Sequence, residues 1–372
     1  MNTDRHLPLP IQAARILHMG SLLADAGAGA TQVAGEIHAG IKAAAGVPDE
    51  IPAIYPWLRL GFIWIAHWLS RWPMPVSGDN SGKNWQSLMA VTQGVVGDHL
   101  HGRNSALEQP MQLLDRQGRQ LDVATAGGGA WLVHVHGLCM SARAWENPRA
   151  QAWMDAMEMQ GYQVACLRYN SGLSIPDNGQ KFSALMQQLH PTRLVLVGHS
   201  MGGLVMRAAY QQEQAVTWLP ALRMAAYLGS PHQGAPLERL GEQANRLLTS
   251  LRMTAPLKRL GDLRSQGIKD LRHGHVGEAG QALPEHATHL LFAAELEISR
   301  SWGFSGLGDG LVPVRSALGQ DLAGMHHLQG GKIIRRLLRG RHHMQLLSDD
   351  SVYETLSEQI NAYSQGIRRW HG

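Results

Sequence analysis

The sequence predicts an α/β fold, in which a mostly parallel central sheet is covered by helices on both of its faces. From residue 130 onward, short apolar segments with strand character alternate with segments of helical periodicity, which is typical of successive βαβ units. The strand-like segments, such as residues 193–197 (RLVLV), are apolar throughout. This pattern indicates strands that are buried on both sides, as in a parallel sheet.

The individual elements follow from the same periodicities. Before the alternation begins, residues 111–114 and 119–123 flank a turn at 115–118 and predict a β-hairpin. The predicted strands cover residues 130–135, 164–167, 193–197, 224–228, 289–293 and 332–337. The predicted helices cover residues 145–160, 182–189, 202–212 and 352–367.

Two stretches lie outside this alternation. Residues 1–105 predict a helical N-terminal extension, and residues 235–285 predict a helical insertion within the domain formed by residues 106–372. The segment from Trp57 to Trp72 contains four of the 11 tryptophans and is apolar nearly all round. It is interpreted either as a helix packed on the domain, or as a lid or lipid-facing helix in weak contact with a membrane surface.

Composition and charge narrow the class of protein. Hydrophobic residues make up 44% and charged residues 17% of the chain, which is typical of a globular protein with a buried core. The formal net charge is +4, and the densest basic run consists of Arg335, Arg336, Arg339 and Arg341. A nucleic-acid-binding protein usually concentrates more charge on one face. The run is therefore interpreted as a solvated edge with at most a weak attraction to anionic surfaces.

Cysteine usage and hydropathy predict a soluble, cytoplasmic protein without a disulfide framework. Cys139 and Cys166 lie in apolar, strand-like surroundings, which are typical of buried free thiols. The N-terminus has no apolar stretch of the signal-peptide type, and Arg59 and His67 interrupt the longest apolar segment, residues 54–69. Neither a His-Glu-x-x-His motif nor a Cys pair with zinc spacing occurs, so no metal or other cofactor is predicted.

The strongest functional signal is the segment 198–202 (GHSMG), which is followed by Gly203. It matches Gly-x-Ser-x-Gly between an apolar strand and a helix, the context of a nucleophile elbow. Glycines are needed there because neighbouring Cβ atoms would clash in the sharp turn that lifts the serine above the sheet. Ser200 is therefore the predicted nucleophile, and the N-terminus of the following helix favours negative charge beside it.

A second motif indicates where an oxyanion would be stabilised. His136, Gly137 and Leu138 follow the strand at 130–135 directly. Gly137 lets the chain pass close to a substrate carbonyl, and the backbone N–H of Leu138 is the predicted oxyanion donor, together with that of Met201. His136 is interpreted as a neutral histidine that shapes this loop rather than as a catalytic group.

The acid of a triad is expected after the serine in the chain, just beyond a late strand. Asp309 lies between two glycines and follows the strand predicted at 289–293. The flanking glycines allow the chain to turn back toward the site, so Asp309 is the predicted acid. The competing carboxylates lie in segments that resemble exposed helix or loop: Asp262, Asp270 and Asp321.

The base is expected after the acid, between the last strand and the terminal helix. Histidines after Asp309 occur at positions 326, 327, 342 and 343, and the last two have the expected position. His343 is preferred because the apolar run that follows it would anchor the loop, and His342 remains the alternative. In this arrangement His343 accepts the proton of Ser200, and Asp309 fixes the tautomer of His343.

These motifs form a series with further segments along the chain. The series consists of VHVHGLCMSARAW, LRYNSGLSI, LVLVGHSMGGLVMRAA, YLGSPHQGAP, GDGLVPVRSALG and HHMQLLSDDSVYETL. It resembles the lipase-like α/β-hydrolases, especially the group similar to GPI inositol-deacylases, over roughly residues 93–365. The resemblance implies the α/β-hydrolase fold, with Ser200 as nucleophile, Asp309 as acid and His343 as base. It also implies that residues 136–138 form the oxyanion loop and that His232 is structural.

We therefore expect a serine hydrolase, an esterase or lipase, that cleaves a small-molecule or lipid acyl ester. Acyl transfer or thioester cleavage by the same triad remains open, because the sequence does not reveal how water reaches the site. A non-catalytic binding protein on the same fold also remains open, although the intact Ser, Asp and His candidates argue against it.

Overall fold

The computed structural model describes residues 83–212, 216–236, 265–274, 282–297, 308–320 and 327–370, together with a few isolated residues before position 83. Most of the segment from Trp57 to Trp72 and most of the insertion predicted at 235–285 lie outside the described residues. The domain limits proposed for these segments stay predictions. The chain divides into two compact units, and the sheet belongs to the unit formed by residues 90–98, 109–244 and 265–372.

Seven strands form one sheet. Their bounds are β1 Gln112–Leu114, β2 Ala130–Val135, β3 Tyr162–Arg168, β4 Arg193–His199, β5 Leu222–Leu228, β6 Thr288–Glu295 and β7 Lys332–Arg339. Their order across the sheet is β1-β3-β2-β4-β5-β6-β7. All pairings are parallel except that of β1 with β3. The predicted mostly parallel sheet is confirmed.

Eight α-helices are described, and four of them overlap the helices predicted at 145–160, 182–189, 202–212 and 352–367. Their bounds are α1 Lys83–Gly102, α2 Val123–Ala126, α3 Pro148–Met159, α4 Ile175–Leu189, α5 Met201–Tyr210, α6 Gln266–Leu271, α7 Val314–Ala317 and α8 Asp350–Trp370. Within the described ranges, no helix combines the length and the apolar character that a membrane crossing requires.

Two apolar layers cover the two faces of the sheet, because successive strand residues point to opposite sides. Val133 of β2 belongs to the same layer as Phe182 of α4. Its neighbour Leu132 belongs to the other layer, with Trp153 of α3 and Leu356 of α8. Complete burial of a side chain of this kind stabilises the fold by about 1.5–3 kcal/mol, so these layers hold the strand ends in place.

Helix α4 begins seven residues before its predicted start at 182, at Ile175. The side chain of Ser174 caps it by accepting a hydrogen bond from the N–H of Asp177 at 3.1 Å. Pro176 lies in the first turn, where a proline is tolerated because that N–H has no intrahelical partner. Pro176 thus lies at the start of the helix rather than interrupting it.

The hairpin predicted for residues 111–123 forms only in part. Its turn is closed by the N–H of Asp115, which donates to the carbonyl of Arg119 at 2.8 Å. The second arm then makes a single bridge, Leu114 opposite Gln120. The side chain of Asp122 accepts from the N–H of Ala124 at 3.1 Å and starts helix α2, so β1 pairs with β3 instead.

The basic run lies on edge strand β7 and just after it. Arg335 Nε donates to the carbonyl of Leu318 at 2.8 Å, and Arg341 Nε forms an ion pair with Asp349 at 2.6 Å. Arg339 lies 3.9 Å from Glu295. Charged side chains on an edge strand discourage pairing with other chains, which agrees with the interpretation of this run as a solvated edge.

Candidate active site

Ser200 lies in a strained turn between β4 and α5, at the carboxyl end of a central strand. Its backbone has φ 53° and ψ −124°, a conformation that costs a non-glycine residue of order 1–3 kcal/mol. Two hydrogen bonds impose it: the N–H of Ser200 donates to Leu228 O at 2.8 Å, and Ser200 O accepts from the N–H of Gly203 at 3.1 Å. The structure thus has the sharp strand-turn-helix geometry that the motif predicts.

The start of helix α5 approaches the end of β2 so closely that position 202 requires glycine. A Cβ on Gly202 would lie 2.2 Å from the carbonyl oxygen of Val135 and 2.6 Å from that of His136. Backbone atoms cannot yield to such a contact without shifting the strand. The glycine therefore keeps the elbow and the loop at residues 136–138 next to each other.

Asp309 and His343 are brought together beyond the carboxyl ends of the strands. Asp309 follows β6 and His343 follows β7. His343 Nδ1 donates to Asp309 Oδ2 at 2.7 Å, and the side chains are 4% and 0% exposed for His343 and Asp309. The N–H of His343 also donates to the carbonyl of Asp309 at 3.2 Å. The contact at Nδ1 places the ring proton on that nitrogen and leaves Nε2 as the basic nitrogen.

The other carboxylate oxygen of Asp309 is held by the backbone. Oδ1 accepts from the N–H groups of Leu311 at 2.9 Å and Val312 at 2.8 Å. Burial alone would raise the pKa of Asp309, but the charge and hydrogen bond of His343 and the two backbone N–H groups outweigh it and lower the pKa. Asp309 is consequently an anion at neutral pH.

The competing candidates have other surroundings. His342 is exposed and caps the short 3-10 helix that His343 begins. Asp270 is buried, but it accepts hydrogen bonds from the N–H of Ile175 at 2.9 Å and from the side chain of Gln266 at 2.7 Å. Asp262, Asp321 and His326 lie outside the described residues. Of the candidates that are described, the structure pairs Asp309 with His343.

The predicted oxyanion loop passes directly beside Ser200. A Cβ on Gly137 would lie 3.0 Å from the Cβ of Ser200, and the N–H of Met140 closes the turn on Gly137 O at 3.3 Å. Leu138 is partly buried in this turn. Met201 occupies the first position of α5, where a backbone N–H has no intrahelical acceptor. Both predicted donors therefore lie in segments next to Ser200.

His136 has the environment of a structural residue. It is buried, its ring stacks on that of Tyr169 with centroids 4.4 Å apart, and its Nδ1 lies 2.9 Å from the carbonyl oxygen of Gly137. Burial lowers the pKa of His136 to about 4, so the ring is neutral under ordinary conditions. The hydroxyl of Tyr169 donates to the carbonyl of His136 at 2.7 Å. This hydrogen bond ties the loop to the end of β3.

The residues that fix the oxyanion loop were not predicted from the sequence. Besides Tyr169, Ser171 Oγ accepts from the N–H of Cys139 at 3.2 Å. Cys139 itself has φ 58°. The only signal for these contacts was the position of the segment LRYNSG at the end of a predicted strand.

Cys139 and Cys166 are both buried free thiols, as predicted, and burial raises the pKa of each to about 12.

A second polar cluster contains Arg207, which lies in helix α5. Arg207 Nη1 lies 3.3 Å from His232 Nδ1, and both side chains are buried. Burial and then the charge of Arg207 lower the pKa of His232 well below its ordinary value. A neutral, buried His232 that contacts the helix after Ser200 is consistent with the structural role that the resemblance implies.

Comparison with protein families gives a match over part of the chain. Residues 178–292 match the family model described as PGAP1-like alpha/beta domain. The matched range contains Ser200, and the match confirms the predicted resemblance to lipase-like α/β-hydrolases. A comparison with curated proteins found no match.

Similar solved structures include the mature lipase BlEst2 of Bacillus licheniformis, with 17% identity and a TM-score of 0.41 over 67% of this chain and 98% of that one. The carboxylesterase CesB of Bacillus subtilis has 13% identity and a TM-score of 0.41, over 74% of this chain and 98% of that one. The type II thioesterase BorB of the borrelidin biosynthetic cluster has 14% identity and a TM-score of 0.39, over 67% and 96%.

Proposed function

We propose that the protein is a serine-dependent carboxylic-ester hydrolase that forms an acyl-enzyme on Ser200. The observation that carries the proposal is the buried hydrogen bond between Asp309 and His343, at the edge of the sheet where Ser200 occupies its strained turn. A buried, ionised carboxylate that fixes one histidine tautomer, near a serine in a strained strand-to-helix turn, is the arrangement that nucleophilic acyl chemistry needs. The substrate class is a small-molecule or lipid acyl ester.

Acylation begins when His343 Nε2 takes the proton of Ser200 as its Oγ attacks the acyl carbon. The carbonyl oxygen becomes an oxyanion, to which the N–H groups of Leu138 and Met201 donate. Asp309 remains ionised and stabilises the imidazolium. When the tetrahedral intermediate collapses, the bond to the alcohol oxygen breaks, and that oxygen takes the proton from His343 Nε2.

Deacylation repeats these steps with water. His343 removes a proton from the water, whose oxygen attacks the acyl carbon of the ester on Ser200. Collapse of the second intermediate breaks the bond to Oγ, and the serine oxygen recovers its proton from His343. The carboxylic acid leaves, and the resting state is restored.

The test is hydrolysis of p-nitrophenyl esters of increasing acyl length by the wild type and by Ser200→Ala. A matched control is Ser183→Ala, since Ser183 is buried and accepts from Trp218 Nε1 at 3.1 Å, away from the site. We expect turnover by the wild type and the control, and none by Ser200→Ala. An acyl thioester of the same chain measured in parallel distinguishes a thioesterase. Turnover that persists in Ser200→Ala would exclude the proposed nucleophile.

A further inference from the structure

His199 is buried beside His343, yet the reaction described above gives it no task. The ring centroids of the two histidines lie 4.7 Å apart with an angle of 51° between the planes. His199 Nε2 lies 3.4 Å from the backbone carbonyl oxygen of His343. His199 therefore contacts both the ring and the main chain of the base.

The other nitrogen of His199 points toward the oxyanion loop. A Cβ on Gly137 would lie 3.2 Å from His199 Nδ1. Within the described part of the chain, this Nδ1 has no hydrogen-bond partner. His199 thus lies between the two loops that carry the base and the oxyanion donor.

The protonation state of His199 follows from its surroundings. Burial, and next the adjacent His343, lower the pKa of His199 to about 3, while Asp309 and His136 are the other ionisable groups that face it. The ring is consequently neutral and has one N–H. Because the carbonyl of His343 is an acceptor, the proton lies on Nε2. A neutral ring also avoids repulsion with the imidazolium that forms on His343.

We infer that His199 is a positioning residue that holds the ring of His343 at a fixed tilt relative to Ser200 through its Nε2–H and its ring face. The inference rests on the proposed function. Asp309 holds the base at a single ring atom, Nδ1, so rotation of the ring about that hydrogen bond needs a second restraint. His343 Nε2 must serve first the serine oxygen and then the leaving oxygen, each within hydrogen-bond reach.

Three variants separate the contacts. His199→Phe keeps a ring of similar size and removes the N–H, whereas His199→Gln retains an N–H donor close to the position of Nε2. His289→Phe is the matched control, because His289 is also buried and has its hydrogen bonds to Tyr227 and Pro284. The rate at which a fluorophosphonate labels Ser200 is measured first. Then kcat and KM are measured on a p-nitrophenyl ester and on an alkyl ester with the same acyl group. Each kcat is divided by the number of sites that the fluorophosphonate labels.

A tilted base impairs proton delivery most where the leaving group needs a proton. We therefore expect His199→Phe to lower kcat on the alkyl ester by about 10- to 100-fold, since small misplacements cost rates of that order. The loss on the p-nitrophenyl ester should be smaller, because p-nitrophenolate leaves unprotonated, and KM should change little. Labelling of Ser200 should slow in His199→Phe and recover in His199→Gln.

Each other outcome has a defined meaning. Labelling of His199→Phe at the wild-type rate overturns the inference, as does an equal loss on both esters that His289→Phe reproduces. A Gln variant as slow as the Phe variant also overturns it. If the wild type is labelled but cleaves no ester, the proposed function fails alone, and the labelling rates still test His199. If the wild type is not labelled, both fail.

Discussion

The substitution Asp309→Asn tests the triad most sharply, because the two oxygens of Asp309 have different partners. Oδ1 accepts from the N–H groups of Leu311 and Val312 at 2.9 and 2.8 Å, and Oδ2 accepts from His343 Nδ1 at 2.7 Å. Asparagine offers one acceptor oxygen and one NH2 donor. Since two backbone N–H groups need an acceptor, the amide oxygen takes the Oδ1 position, and the NH2 group faces His343.

The consequence is a change of tautomer rather than a loss of structure. A donor facing Nδ1 forces the proton of His343 onto Nε2, and this nitrogen can no longer accept the proton of Ser200. The equivalent substitution in a serine protease triad lowers kcat by about 10⁴-fold, which corresponds to about 5 kcal/mol of barrier. We expect a loss of the same order here, with KM nearly unchanged.

The assay is ester hydrolysis at pH 7 by the wild type, Asp309→Asn and Asp270→Asn. Asp270 is the matched control, because it is also buried and one of its oxygens accepts from a backbone N–H, that of Ile175. Asp270→Asn should retain activity within a few-fold of wild type, and the near-UV circular dichroism of both variants should remain that of the wild type. A folded Asp309→Asn variant with more than a tenth of the wild-type kcat would refute the assignment of the acid.

Two further substitutions test the oxyanion loop and the buried histidines. A Cβ on Gly94 would lie 2.3 Å from Cys139 Sγ and 2.8 Å from Cys139 N; Gly94→Ala should therefore displace the residue next to the proposed donor and lower kcat by about 10- to 1000-fold. Gly102→Ala, whose Cβ meets nothing within 4 Å, should leave kcat unchanged, and equal effects of the two would contradict the reasoning. His134 is fully buried, and burial lowers its pKa to about 3. Between about pH 6.5 and pH 3 the unfolded chain therefore binds a proton at this residue that the folded chain does not. The free energy of unfolding consequently falls as the pH falls through this window. His134→Phe lacks this proton, and its unfolding free energy relative to wild type, measured with urea, should rise by about 2 kcal/mol from pH 7 to pH 5; a difference independent of pH would show that His134 does not titrate in this way.

Much of the fold and part of the candidate site are encoded in short stretches of sequence. An apolar run followed by Gly-x-Ser-x-Gly and a helix suffices to predict the turn at Ser200, because strand, turn and helix are determined by neighbouring residues. The same holds for Gly137, which lies two residues after the strand predicted at 130–135. The six parallel strands were predicted within a few residues of their observed bounds, since burial on both faces leaves continuous apolar runs.

The tertiary structure decided what depends on residues far apart in the chain. His342 and His343 are neighbours with the same side chain, and the choice between them depends on Asp309, which lies 34 residues earlier and meets His343 at 2.7 Å. The second arm of the hairpin was cut short because Asp122 starts helix α2 after a single bridge to β1, and the long-range partner of β1 is β3. Likewise, nothing near His199 in the sequence reveals that it touches the carbonyl of a residue 144 positions later. Local patterns indicate which face of a helix or strand is buried. Only the packed sheet brings distant loops together at the carboxyl ends of its strands.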